Sequence, residues 1–260
     1  MVLLLTGQAR WAQVASTLRD RRTLLWLLLA ALLVGLNWLV FVYAVLQGQI
    51  LQASLGYYIT PLLSVLLGLG VLRETLRPLQ WCCFALALVG VILTALAGTG
   101  FPWIALTLAF SFSFYGLVRK LIRIEPAIGL LLETTFLLPL AIGWLYFTWS
   151  DWTTGLAPLD HGLLALAGVI TAVPLLCFNQ ALQRLRLSTL GFMQYVGPSV
   201  QFLLAVFLLQ EPMNPRRWMS FAFIWVALAL FTLDSWNHHR KPPGPWSKSA
   251  NSSPHLRAAR

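Results

Sequence analysis

Residues 54–85 read SLGYYITPLLSVLLGLGVLRETLRPLQWCCFA, and residues 191–222 read GFMQYVGPSVQFLLAVFLLQEPMNPRRWMSFA. Laid over each other at a shift of 137 positions without a gap, they pair Tyr58 with Tyr195, Pro61 with Pro198, Glu74 with Glu211, Pro78 with Pro215, Trp81 with Trp218, Phe84 with Phe221 and Ala85 with Ala222. The same shift pairs Phe41 with Phe178 and Ala44 with Ala181 further out. Leucine coincidences carry no weight in a leucine-rich chain. Coincident Pro, Glu, Trp and Tyr do, and they mark an internal repeat.

Each of the two stretches holds an apolar run, a short polar break and the start of a second run. A bilayer core about 30 Å thick takes about 20 apolar residues in a helix rising about 1.5 Å per residue. Runs of that length fall at about 23–46, 51–72, 80–98, 101–118, 127–149, 162–182, 188–209 and 218–236. Hydrophobic residues make up 58% of the 260 positions and charged ones 10%. A soluble domain carries about 25% charge, so this composition points to an all-α membrane protein. Ser111 and Ser113 interrupt the fourth run, and Asn179 and Gln180 end the sixth. Both runs are expected to face protein rather than lipid.

The net charge of +10 does not imply nucleic acid, because the basic residues sit between the apolar runs rather than on one soluble face. Placing successive connections on alternate sides puts sixteen of the eighteen Lys and Arg on one side, and leaves only Arg216 and Arg217 on the other. That side is expected to be cytoplasmic, and with it the C-terminus. Trp81, Trp103, Trp149, Trp152, Trp218 and Trp236 fall near span ends, where an interfacial aromatic belt belongs.

In the repeat the first, second and third spans correspond to the sixth, seventh and eighth. Partners lie five spans apart, and five is odd, so the copies have opposite orientation. Inverted copies of this kind build many secondary transporters, with the substrate site near midplane between them. The second copy, 100–236, has five spans, whereas the first, 1–99, has three. Subtracting the shift from the start of the fourth span puts the first copy's expected start roughly 37 residues upstream of Met1. Residues 1–5 then read as the tail of a missing helix. The fold expected is two inverted five-helix repeats, ten helices in full and about eight here, with 237–260 a disordered cytoplasmic tail rich in Pro, Ser and basic residues.

The segments AFSFSFYGLVRK (109–120), TAVPLLCF (171–178) and RLRLSTLGFMQYVGP (184–198) resemble the RarD group of EamA-type transporters, in the drug/metabolite transporter superfamily. ASLGYYITPLLSVLLG (53–68) and RETLRPLQW (73–81) share the resemblance, which runs from about residue 1 to 236. Where the family pattern carries Gly before the Glu that ends the fourth helix of a repeat, this chain carries Arg73 and Gln210. The resemblance implies ten helices in two inverted repeats, a place in the bacterial inner membrane, and export or exchange of a small metabolite or drug-like molecule.

Glu133 is the one acidic residue well inside a span, about 9 Å from its start at about 1.5 Å per residue. A carboxyl in apolar surroundings is costly when ionised and readily neutralised, so Glu133 is a candidate proton carrier or partner for a cationic group, with a structural hydrogen bond as the alternative. Glu74 and Glu211 read as helix-end ion pairs with the neighbouring arginines. Pro61 and Pro198 each remove a backbone donor in mid-span and read as a matched pair of hinges, or as packing kinks. Asn37, Tyr57, Tyr58, Thr60, Gln194, Tyr195, Ser199 and Gln201 put hydroxyls and amides at mid-depth. Such groups suit a neutral or zwitterionic ligand, or glue helices together. Gly68, Gly70 and Gly90 read as points of close helix approach.

Nothing marks an enzyme: there is no H-E-x-x-H, no G-x-S-x-G, and no acidic neighbour for Glu133 at helical spacing. No Walker motif appears, so ATP coupling within the chain is not expected. Cys82, Cys83 and Cys177 lie inside apolar runs and read as buried thiols; His238 and His239 belong to no metal-ligand set. No cofactor or metal is expected. The expected partners are a small-molecule substrate, protons and the lipid bilayer, with a homodimer left open and nucleic acid excluded. A non-transporting assembly protein is the competing class.

Overall fold

The breaks between spans are set by caps and prolines. Asp20 ends one helix and caps the next, its carboxylate accepting from the Arg22 amide at 3.1 Å. Gly48, at φ 66°, supplies the left-handed residue of a tight turn between two spans. Pro78 and Pro126 open helices at first-turn positions where no backbone donor is required.

The computed structural model describes residues 8–96, 101–122, 124–148, 158–207 and 215–240. Its helices are α1 (Gln8–Arg19), α2 (Arg21–Leu46), α3 (Ile50–Gly70), α4 (Pro78–Ala95), α5 (Trp103–Leu121), α6 (Pro126–Phe147), α7 (Pro158–Arg184), α8 (Leu187–Gln194), α9 (Val196–Phe207) and α10 (Pro215–Arg240). There is no strand among the described residues. Among the described residues seven helices, α2 to α7 and α10, are long and apolar enough to cross a membrane. The protein is an all-α membrane protein.

The seventh expected span is not one helix. A turn at Tyr195 divides it into α8 and α9. Pro198 weakens the ladder here, since it has no N–H to give the Gln194 carbonyl and its ring crowds that oxygen, and Gly197 before it adds backbone freedom where α3 has Thr60. Tyr195 instead bonds back to the Phe192 carbonyl at 3.2 Å, and the ladder resumes with Ser199 to Tyr195 at 3.1 Å. The matched Pro61 lies inside α3, which runs through it unbroken.

The helices cross where glycine lets backbones meet. A Cβ on Gly56 of α3 would stand 3.0 Å from the Ala105 carbonyl of α5. One on Gly191 of α8 would stand 2.8 Å from the Pro61 carbonyl of α3, and one on Gly90 of α4 would stand 2.8 Å from the Ser220 carbonyl of α10. Gly68 packs against the Glu74 carboxylate, whereas Gly70 faces open space. The main core gathers α3, α4, α8 and α10 around Tyr58, Val65, Phe192, Tyr195 and Ile224. A second core joins α2, α5 and α6.

The fourth expected span, α5, is enclosed as its serines suggested: Ser111 and Ser113 are both buried. The sixth, α7, is not. Asn179 and Leu182 are buried at one end, but Leu163, Leu166, Val169, Ile170 and Val173 are exposed. Asn179, Gln180, Gln183 and Arg184 cluster in the last turns of α7, and between His161 and Asn179 the helix is apolar apart from Thr171, suited to lipid or to an apolar cavity. The three cysteines are also not alike, since only Cys83 is buried while Cys82 and Cys177 face outward. The tail expected to lose order from Asn237 is helical as far as Arg240. Residues 241–260, the expected helix tail at 1–5, Trp149, Trp152 and Glu211 lie outside the described residues. Trp81, Trp103, Trp218 and Trp236 are all exposed, as a belt requires.

The arginine-bearing helix ends are tied together. Arg77, at the start of α4, pairs with Asp234 of α10 at 2.8 Å, and Gln80 donates to the same carboxylate at 3.2 Å. Lys120 of α5 donates to the Leu182 carbonyl at 2.7 Å and also to Leu185, at the end of α7. Gln183 donates to the Ile124 carbonyl.

Candidate functional site

A cavity of about 490 Å³ lies where α2, α3, α5, α7, α8 and α9 come together. Asn37, Trp38 and Phe41 enter from α2, Tyr57 and Thr60 from α3, and Leu108 and Phe112 from α5. Ile170, Thr171, Pro174, Leu175 and Phe178 of α7 form the opposite wall, closed by Gln194, Gly197 and Pro198 at the break between α8 and α9. No charged side chain among the described residues lines it. Aromatic rings shape it: Phe112 and Phe178 lie 5.1 Å apart, and Phe41 and Tyr57 lie 6.0 Å apart.

Five of the residues singled out from sequence meet here: Asn37, Tyr57, Thr60, Gln194 and Pro198. Asn37 donates to the Leu108 carbonyl at 2.9 Å and to the Ser111 hydroxyl at 3.0 Å, so both its amide hydrogens are engaged across to α5. The Thr60 hydroxyl donates to the Gly56 carbonyl at 2.8 Å, and the Thr60 carbonyl accepts from Ser113 at 3.1 Å. The Gln194 side chain differs: its Nε2 and Oε1 are both closed to solvent, and neither has a partner among the described residues.

Tyr58, Tyr195 and Ser199 do not line the cavity; they join helices. Tyr195 donates to the Tyr58 carbonyl at 3.3 Å, Ser199 donates to the Tyr195 carbonyl at 2.7 Å, and the Trp225 indole donates to Ser199 at 3.1 Å. The backbone of Gln201 lies in α9, and its side chain is outside the described residues.

Glu133 occupies an adjoining pocket of about 300 Å³, which shares Trp38, Thr171 and Leu175 with the cavity. These three side chains are the partition between the two spaces. Behind Glu133 stands a buried network that the sequence reading did not assemble. Arg119 Nε lies 3.3 Å from Glu133 Oε1, with the side chains 2% and 1% exposed. The Tyr115 hydroxyl donates to Glu133 Oε2 at 3.2 Å, and Asn179 donates to the Tyr115 oxygen at 2.8 Å. Arg119 also donates to Asn179 Oδ1 at 3.2 Å and to the Pro126 carbonyl at 3.4 Å. Gly129 makes the space, since a Cβ there would collide with Arg119 Nη1. Tyr115 and Arg119 are four residues apart on α5, and Gly129 and Glu133 four apart on α6, so two helical rungs face each other. In the sequence Arg119 reads only as a topology signal, by its sign. A lone acid within a span needs a partner, and that signal was available.

Below the cavity α3 and α8 close on each other at Gly191, and Glu74 fastens the closure. Glu74 Oε1 and Oε2 accept from the backbone amides of Leu187 and Ser188 at 2.8 and 2.9 Å. A carboxylate there meets unpaired donors and the positive end of α8. The expected arginine pairing of Glu74 is therefore corrected: its partners are backbone amides, and Arg77 goes to Asp234. Helix ends offer unsatisfied N–H groups as well as side chains, which a count of charges does not include.

The chain matches the model of the EamA-like transporter family over residues 1–96 and 100–233. It is similar to Protein RarD of Salmonella typhi, 47% identical over 93% of this chain and 83% of the relative. An uncharacterized transporter of Vibrio cholerae is 47% identical over 86% of this chain and 76% of the relative. A solved crystal structure superposes with a TM-score of 0.61 over 85% of this chain and 83% of that one; at 19% identity this likeness concerns the fold alone.

Proposed function

The chain belongs to the RarD group of the EamA-like transporter family, and we propose that it carries a small neutral or zwitterionic molecule across the bacterial inner membrane by alternating access between two inverted copies, 1–99 and 100–236, in efflux or exchange. The cavity carries this reading. It lies among the spans that the 137-residue shift pairs, it is the size of a small-molecule site, and its wall combines aromatic surface with a few amides and hydroxyls. In this reading the close approach of α3 to α8 at Gly191 and Glu74 is the seal at one end of it. The crowding of Arg and Lys on that side makes it the cytoplasmic one. Transport then requires the Glu74 contacts to break so that α8 can leave α3.

Glu133 is the proton-binding group in this reading. It stands one partition away from the ligand, and a change in its charge acts on Arg119, Tyr115 and Asn179 together. Pro61 and Pro198 are the hinges. The test is flux of a panel of neutral and zwitterionic metabolites into proteoliposomes under imposed pH gradients. Gradient-sensitive, saturable flux of at least one compound, lost in Glu133→Gln, is expected. Absence of flux for every compound, in protein that is folded by its thermal unfolding, overturns the reading.

A further inference from the structure

We infer that the side-chain oxygens of Asn37 and Tyr57 are the recognition pair of the cavity, and that they select an uncharged aromatic molecule bearing a hydroxyl group. The inference rests on the cavity being the transported ligand's site.

The other side-chain oxygens of the wall are occupied or closed. The Thr60 hydroxyl is buried and donates to Gly56, the Thr171 hydroxyl donates to the Gly168 carbonyl at 3.1 Å, and the Gln194 amide is closed to solvent at both ends. Asn37 Oδ1 and the Tyr57 hydroxyl differ in two respects. Neither has a partner among the described residues, and neither is among the partnerless atoms closed to solvent, although both residues are partly buried. Both residues line this cavity, whereas neither lines the Glu133 pocket or the groove between α2 and α5 at Leu33, Leu36 and Phe110. The two oxygens therefore open on the ligand's space.

Their chemistry is fixed by what surrounds them. The Leu108 carbonyl can only accept, so the nitrogen of the Asn37 amide must face α5 and its oxygen must point away from that helix. Asn37 thus offers the ligand an acceptor and nothing else. The Tyr57 hydroxyl both donates and accepts, and it rotates to suit its partner. A hydroxyl is the smallest uncharged group that can donate to the one and accept from the other, whereas a ketone leaves Asn37 unpaired. Charge is disfavoured, because a carboxylate or ammonium would lose its hydration where no described side chain of the wall supplies a counter-charge. The rings of Phe112 and Phe178, and of Phe41 and Tyr57, offer the surface on which a flat aromatic body rests.

The test uses the full chain in lipid nanodiscs and three probes of nearly one size: 1-(2-naphthyl)ethanol, 2-acetonaphthone, which accepts without donating, and 2-naphthoate, which is charged. Equilibrium dialysis against nanodiscs with and without the protein should give the alcohol about three- to tenfold tighter binding than the ketone, the usual size of one neutral hydrogen bond, with naphthoate weakest. The two oxygens then separate. Tyr57→Phe keeps the ring and removes no protein contact, so thermal unfolding should be unchanged while alcohol and ketone both weaken by about three- to tenfold. Asn37→Leu should bring the alcohol down to the ketone and leave the ketone as it was. Because Asn37→Leu also severs the tie to α5, Ser111→Ala serves as the second variant: it loses part of that tie, keeps the Asn37 oxygen and should keep the alcohol's advantage. A ketone or naphthoate that binds as tightly as the alcohol, an advantage that survives Asn37→Leu or disappears in Ser111→Ala, or a Tyr57→Phe protein that binds both probes as before overturns the inference. An alcohol preference without flux of any compound overturns the transport reading instead, and gradient-driven flux with no alcohol preference overturns only this one.

Discussion

Glu133 and Arg119 are 1% and 2% exposed, and their charged atoms stand 3.3 Å apart. Removing one leaves the other uncompensated where water does not reach. That costs about 3–5 kcal/mol for a buried pair, whereas replacing both as a unit is often close to neutral. Glu133→Gln keeps the shape and an oxygen for Tyr115, and Arg119→Met keeps most of the stem volume. Each single variant should therefore lose about 3–5 kcal/mol, and the double variant should lose less than their sum by at least about 2 kcal/mol. Thermal unfolding of all four purified proteins in detergent measures the cycle. Additive single effects would falsify the claim that the two charges hold each other in place. The same proteins separate stability from coupling. The double variant should be folded yet unresponsive to an imposed pH gradient, because neither Met nor Gln binds a proton. A gradient response that survives in it refutes proton carriage by Glu133 and leaves the stability argument standing.

Gly129→Ala places a methyl against Arg119 Nη1 and should cost about 1–3 kcal/mol, an effect that disappears in the Arg119→Met background; a loss of equal size in both backgrounds would mean that the guanidinium is not what Gly129 accommodates. Glu74→Gln retains one acceptor but turns an N–H toward the other backbone donor, weakening the closure by about 1–3 kcal/mol. Ser188→Cys, in a chain cleared of Cys82, Cys83 and Cys177, should then be labelled faster by a maleimide, and an unchanged rate counts against the Glu74 contact as a closure. Pro198→Ala restores a donor for the Gln194 carbonyl and should join α8 to α9, and Pro61→Ala should leave α3 unbroken, yet both should slow flux if the prolines exchange roles. An effect of Pro198→Ala alone refutes the paired hinge.

The spans were legible because apolar length and loop charge are properties of the chain itself. The observed helix ends follow the expected ones within a few residues, apart from the extension of α10. Depth was legible too: Tyr57, Thr60, Gln194 and Pro198 do meet at one level of the bundle. What the sequence lacked was azimuth. Tyr57 and Tyr58 are adjacent in the chain, yet one lines the cavity and the other supports the core. Neighbours on a helix point about 100° apart, and a span that is apolar all round gives no amphipathic face from which to orient it. The Arg119 network was hidden for a related reason. A basic residue near a span end is read by its sign, but here the last turn of α5 is covered by α6 and α7, and the charge turns inward to Glu133 and Asn179.

The tyrosine hydrogen bond ties the repeat to the mechanism. Tyr195 donates to Tyr58, and these two are separated by 137 residues, the shift of the repeat itself. Equivalent residues of two copies touch only where a symmetry axis passes between them, which places the axis at the meeting of α3 with α8 and α9. If the copies were strictly alike, the prolines three residues beyond each tyrosine would shape the two helices in the same way. They do not: α3 is continuous through Pro61, while the helix containing Pro198 is broken at Tyr195. The two stretches thus adopt different backbone conformations, and they differ locally in sequence, with Thr60 before the proline of the continuous helix and Gly197 before that of the broken one. Alternating access by inverted copies asks for this property, since the opposite state is reached when the copies exchange conformations.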